Sequence, residues 1–158
     1  AAVDAMKEAR QIAFAGLGAS GHVARDACHK FFRLGIPCTS LADTTMILQF
    51  ATIAESRDVL ILLSHTGRWS EFALAAKLAR ERGATVIAIT TPESAIATEA
   101  SLVFPCNVVE DTSLYTPMSS RLAQLALLDA IQVALALARG SVGSDNLRRS
   151  KDALKSKF

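Results

Sequence analysis

Apolar residues fall along this chain in short runs separated by polar turns, and the runs alternate between two periods. Residues 1–9 read as a short helix, and Gln11–Leu17 reads as a strand that ends in Gly16-Leu17-Gly18-Ala19-Ser20-Gly21. His22–Leu34 has helical spacing and is stopped by Gly35 and Pro37. Ile36–Leu41 follows as a second strand, and Asp43 is placed to cap a helix running to about Glu55. Asp58–Ser64 holds Val-Leu-Ile-Leu-Leu, apolar on both faces, as a central parallel strand requires. Ser70 is set to cap the next helix, which ends at Gly83 with Arg80 and Arg82 in its last turn. Thr85–Thr90 predicts a fourth strand, Ser94–Ala100 a short helix and Leu102–Cys106 a fifth strand. A long helix is expected over Ser119 to Ala138, broken by Gly140 and Gly143, with a last helix from near Asp145.

Strand and helix in alternation imply a three-layer α/β/α domain with a five-stranded parallel sheet covered on both faces. The flavodoxin-like strand order 2-1-3-4-5 places its switch point between strands one and three, where ligands sit at the carboxyl ends of the strands. That rule selects the loops Gly18–His22 and Ser64–Ser70. Residues 1–158 read as one such domain. The helix over 119–138 is apolar nearly all round, its polar positions sparse: Ser120 and Gln124 are four apart, Asp129 and Gln132 three apart. It needs cover on two sides: a subunit interface, making the chain a homodimer or higher homo-oligomer, or a thick core.

Composition narrows the class. Hydrophobic residues make up 51% and aromatics only 6%, which favours helices on a buried sheet over an all-β sandwich. A net charge of +2 is too small to argue for nucleic acid. The basic end, Arg148, Arg149, Lys151, Lys155 and Lys157 against Asp145 and Asp152, reads as a solvated helix face. Cys28, Cys38 and Cys106 are odd in number and widely spaced, so reduced thiols in a cytoplasmic protein are expected, with neither a disulfide framework nor a metal site. The apolar stretch Leu122 to Ala138 is interrupted by Gln124, Asp129 and Gln132, which argues against a membrane span. The chain begins with Ala in the middle of a helical pattern, as an excised domain would.

Two loops could carry chemistry. Gly16-Leu17-Gly18-Ala19-Ser20-Gly21 satisfies G-x-G-x-x-G, with Asp43 at the distance of a dinucleotide fingerprint, so an NAD-dependent dehydrogenase is one reading. The same glycines suit any phosphate approaching amides at a helix start, and Asp43 has a plainer role as a cap. The loop Ser64-His65-Thr66-Gly67-Arg68-Trp69-Ser70 offers hydroxyls, a glycine for close backbone approach and an arginine, a set that binds phosphate without metal or cofactor. His22, His29 and Cys28 share a helix with the histidines seven apart, a spacing that suits packing better than ligation. Ser20 lacks the second glycine of a hydrolase elbow, since residue 22 is His22. Glu110, Asp111 and His65 form an acid–base set only if the fold unites them; otherwise the carboxylates are solvated.

Three strings in order, Gly16-x-Gly18-x-Ser20, Ser64-x-Thr66-Gly67 and Ser120-Arg121-x-Ala123-Gln124-Leu125-x-x-x-Asp129, resemble the SIS (sugar isomerase) domain. The longer strings His29-Lys30-Phe31-Phe32-Arg33, Ser64 to Arg68, Glu110-Asp111-Thr112 and Tyr115 to Arg121 resemble HexR-type members of the RpiR transcriptional regulators. The resemblance implies a sensor of a sugar phosphate, for this type the sugar acid 2-keto-3-deoxy-6-phosphogluconate (KDPG), with self-association and DNA contacted only through an N-terminal helix-turn-helix absent from the chain. It implies that Ser20 and Ser64 contact the ligand and that Thr66, Gly67 and Ser119 or Ser120 complete the pocket. Gly18, Gly21, His65, Arg68 and Ser70 join them as candidate binding residues from the two loops, and Arg68 or Arg121 is expected to meet a ligand carboxylate. Trp69 departs from the family, which usually places Thr or Ser there, and Gly21 stands where another small residue is usual. No catalytic residue is expected; the rival within the same fold is an aldose–ketose isomerase.

Overall fold

The computed structural model describes residues 1–111 and 113–155; Thr112 of the family-like string and Lys157 of the basic end lie outside the described residues. Five parallel strands, β1 (Gln11–Gly16), β2 (Cys38–Leu41), β3 (Asp58–Ser64), β4 (Thr85–Thr90) and β5 (Leu102–Pro105), form one sheet in the order β2-β1-β3-β4-β5. The helices are α1 (Ala2–Lys7), α2 (Ala19–Phe31), α3 (Thr44–Ile53), α4 (Ser70–Glu81), α5 (Ala95–Glu99), α6 (Ser119–Ala138) and α7 (Gly140–Lys155), with one 3₁₀ turn at Phe32–Leu34.

The alternation of β3 shows how the sheet divides the core. Val59, Ile61 and Leu63 face α1, α2 and α6, packing with Met6, Ala27, Phe31, Leu128 and Leu135. Leu60 and Leu62 face α3, α4 and α5, packing with Ile47, Phe72, Ala75 and Ile96. Alanines on α4 let that helix lie close to the sheet, and Phe14 meets Phe31 edge to face at 5.0 Å, joining β1 to α2. Such a ring pair contributes about 1 kcal/mol beyond its buried area. In register, Gly16 of β1 lies beside Leu63 of β3, so the loops leaving these two strands emerge together.

Several element boundaries differ from the sequence reading. α2 begins at Ala19 rather than His22, because Gly18 turns the chain with φ 53° and the Ser20 and Gly21 amides close onto Leu17 and Gly18 carbonyls. Ser20 therefore sits in the first turn of a helix. β2 begins at Cys38 rather than Ile36, where Gly35 has φ 83° and Pro37 has no amide to give to a ladder. β5 stops at Pro105, one residue before Cys106. Ser70 does not cap α4: its hydroxyl donates to Glu71 at 3.1 Å, and Trp69 holds the cap position with no side-chain bond. The final helix starts at Gly140 rather than Asp145, since one residue of positive φ at Gly140 makes the whole turn and Gly143 continues inside the helix.

α6 is long and apolar enough to cross a membrane by length and composition alone. Here Ser120, Gln124, Leu128, Ile131 and Leu135 form its buried stripe. Leu122, Val133 and Leu137 are exposed, Leu137 by 76%. Among the described residues, the chain's own core leaves this second face of α6 uncovered.

Candidate functional site

Five helices follow strands, and their starts all lie at the carboxyl edge of the sheet. An isolated helix start leaves four amides without partners, so the fate of those amides decides where an anion can bind. Asp43 caps α3, accepting from the Met46 amide at 2.8 Å, and Ser94 caps α5, accepting from the Ala97 amide at 3.2 Å. Asp43 thereby serves its own helix as a cap. α6 is capped from a distance: the Glu110 carboxylate accepts from the amides of Met118 (2.9 Å), Ser119 (2.8 Å) and Ser120 (3.3 Å) and from the Ser120 hydroxyl. Burial pushes the Glu110 carboxyl up, but these four donors outweigh it, and its pKa falls below the ordinary value. The starts of α2 and α4 carry no side-chain cap.

Those two uncapped starts flank the switch point, and a cavity of about 480 Å³ opens between them. Of the residues the sequence selects, Gly18, Ser20, Ser64, His65, Thr66 and Ser120 line it. Ser64 is 4% exposed, and its oxygen accepts from the Gly67 amide at 3.1 Å while its own proton stays available. Ser20 donates to the Gln124 Oε1 at 3.3 Å across to α6. The His65 carbonyl is tied to Thr91 through its amide (3.2 Å) and hydroxyl (2.6 Å), which fixes the loop, while His65 Nδ1 is buried without a partner among the described residues.

The remaining candidates lie off the cavity wall, each for a physical reason. Gly21 is buried against β1, where an added Cβ would come within 2.9 Å of the Gly16 carbonyl; it serves strand–helix packing. Gly67, with φ 62°, has no room for a Cβ, which would fall 2.2 Å from the Ser94 hydroxyl, and its amide is spent on Ser64. Arg68 and Ser70 are exposed, the latter engaged with Glu71. Ser119 gives its amide to Glu110 and its side chain is exposed. Glu110 does not join His65 as an acid–base set, because both its oxygens are taken by α6; Asp111 accepts from Ser113 in an exposed turn.

Leu17, Leu63, Trp69 and Pro117 give the cavity an apolar wall, and Arg121 supplies its cation. Trp69, half-exposed, is the wall residue that loop chemistry alone did not select; its place one residue before a helix start at the switch point was the available signal. Arg121, rather than Arg68, is the arginine that reaches the cavity.

A doubly wound sheet whose switch point carries two helix starts without side-chain caps, and an arginine, around one polar–apolar cavity has the architecture of a small-molecule site suited to an anion. Residues 5–134 match the SIS domain, and the chain belongs to that family. It is 44% identical over 154 residues to the HTH-type transcriptional regulator HexR of Escherichia coli (strain K12), covering 98% of this chain and 53% of that protein. The chain thus spans about half the length of that relative. The Vibrio vulnificus NanR protein complexed with ManNAc-6P superposes with a TM-score of 0.90 at 21% identity, covering 99% of this chain and 60% of that one. The sugar isomerase domain of an RpiR transcription factor from Sphaerobacter thermophilus superposes with a TM-score of 0.81 at 22% identity, covering 96% of this chain and 83% of that one.

Proposed function

We propose that this chain is the ligand-sensing domain of a transcriptional regulator of sugar catabolism, and that it binds a phosphorylated sugar acid, KDPG, without transforming it. One observation carries the reading: α2 and α4 are the strand-following helices left without a carboxylate or hydroxyl cap, and both open on the same cavity. The ligand phosphate completes the α4 start, accepting from the Ser64 hydroxyl and from amides of the 65–70 loop other than that of Gly67, and Ser20 meets the ligand from α2. The Arg121 guanidinium answers the carboxylate of the sugar acid. Leu17, Leu63 and Trp69 cover the carbon chain and thin the water around the ions, which strengthens each charged contact.

A regulator reading follows from the 44% identity to HexR over nearly the whole chain. DNA contact then belongs to a helix-turn-helix outside these residues, and the protein works in the cytoplasm. A second copy of the chain covers the exposed Leu122, Val133 and Leu137 face of α6, forming the homodimer through which ligand binding reaches the DNA-binding part.

Thermal unfolding with KDPG, fructose 6-phosphate and glucosamine 6-phosphate tests the reading. A ligand at about a hundred times its dissociation constant adds roughly 2.7 kcal/mol, or about 5–10 °C in a domain of this size. KDPG raises the midpoint and Ser64→Ala removes the rise. A rise with fructose 6-phosphate instead, accompanied by its turnover, establishes an aldose–ketose isomerase and overturns the sensor. No rise with any of the three overturns the phosphate site.

A further inference from the structure

Gln124 is 1% exposed on the buried stripe of α6, one helical turn beyond Ser120. Its Oε1 accepts the Ser20 proton at 3.3 Å, and its Nε2 is buried without a partner among the described residues. A buried amide donor left unpaired is costly, and packing alone would favour leucine or methionine here. The consequence for Ser20 is chemical. A hydroxyl has one proton, and while Gln124 accepts it, Ser20 turns only lone pairs toward the cavity. In that state Ser20 can receive a bond from a ligand hydroxyl but cannot give one to a phosphate or carboxylate oxygen. A half-turn of the amide about its last bond puts Nε2 where Oε1 stands, with nearly the same shape. Nε2 then donates to Ser20, and the Ser20 proton is released toward the cavity.

We propose that Gln124 is a positioning residue that sets the hydrogen-bond polarity of Ser20, and that an anionic ligand group turns its amide. The inference rests on the phosphosugar reading and deepens it: binding of an anion, and not of a neutral sugar, satisfies the orphaned Nε2. It also carries the event into α6, the helix whose outer face is apolar and exposed.

Gln124→Glu breaks the device, because a carboxylate accepts from Ser20 and never gives. At pH 8, Q124E weakens KDPG binding by roughly tenfold or more, the worth of one charge-assisted bond. Introduced charge alone also repels the ligand, so the same substitution is made in a Ser20→Ala background. There the loss shrinks several-fold, since no proton remains to be misdirected; equal losses in both backgrounds overturn the inference. Lowering the pH to protonate the introduced carboxyl restores a donor and brings Q124E toward the wild-type affinity. His65, Arg121 and Glu110, the titratable groups on and behind the cavity wall, are common to every variant and cancel in that ratio. Gln124→Met, of similar length, enters the same cycle should the acidic variant unfold.

The side-chain amide resonances of Gln124 supply a readout that a purely structural role does not move. They shift on adding KDPG and stay in place with glucose, a neutral sugar, at equal concentration; shifts of equal size with glucose overturn the inference. Wild-type chain that binds no phosphorylated probe overturns the phosphosugar reading and this inference together, whereas wild-type binding with additive losses overturns the inference alone.

Discussion

Asp58 and Ser64 are the first and last residues of β3, both buried and both polar, and the protein treats them in opposite ways. Asp58, 0% exposed, is saturated: Arg10 donates to both its oxygens (2.9 and 2.6 Å), and Gln11 (3.2 Å) and the Glu55 amide (2.9 Å) fill what remains. Burial pushes its carboxyl up, but these donors more than reverse that and hold its pKa below the ordinary aspartate value. Ser64 receives one bond, from Gly67, and keeps its proton for the cavity. One end of the strand spends its polar groups on holding the sheet together. The other leaves them incomplete, and incompleteness at the carboxyl edge is what a ligand can satisfy.

The largest effect expected from this contrast is at Asp58. Asp58→Ala leaves the Glu55 amide and the Gln11 side chain without their acceptor, while the half-exposed Arg10 turns to solvent and Glu55, and should cost about 3 kcal/mol in chemical denaturation while KDPG affinity of the folded fraction stays unchanged. A loss of affinity to match would join the two ends and dissolve the contrast. Next is Gly67→Ala. A methyl group there meets Ser94 at the wrong side of the helix-start loop in a left-handed backbone, so about 2–3 kcal/mol and the Ser64–Gly67 bond are lost together. Stability and ligand response should fall in the same variant, measured by thermal unfolding with and without KDPG. If stability falls and the ligand-induced rise survives, the loop does not hold the phosphate.

Ser64 and Ser20 were legible in the sequence because both sit where a parallel strand hands over to a helix at the switch point, and that position follows from strand order alone. So was the sheet itself: apolar runs such as Asp58–Ser64 and Thr85–Thr90 have one period and clear ends. Trp69 and Arg121 as wall residues were harder, since a half-exposed tryptophan and a surface arginine look alike in sequence whichever way they face. Glu110 was not legible in its role. It lies eight to ten residues before the amides it caps, beyond the three-residue spacing by which a cap is normally read. Gln124 was visible within a motif, but its link to Ser20 spans 104 positions and exists only in three dimensions.

Glu110 sharpens the contrast between filled and open helix starts, with a smaller effect than either variant above. Glu110→Gln keeps the shape and one acceptor oxygen but removes the charge from the α6 start, and should cost about 1 kcal/mol, or roughly 2–4 °C. Because the folded pKa lies below the unfolded one, the contribution of the charge is whole above the ordinary glutamate range and disappears as pH falls through the folded value. The midpoint difference between wild type and E110Q should therefore be widest near neutrality and close in acid, followed by calorimetry from about pH 7 down to pH 3. A difference constant across that range would mean that shape, not charge, caps α6. Ligand affinity supplies the other half of the test. If the α6 start is truly filled, KDPG binds E110Q about as it binds wild type. A gain in affinity would mean that Glu110 holds a place the ligand carboxylate can take, and that α6 is a third open start kept closed by the protein's own anion.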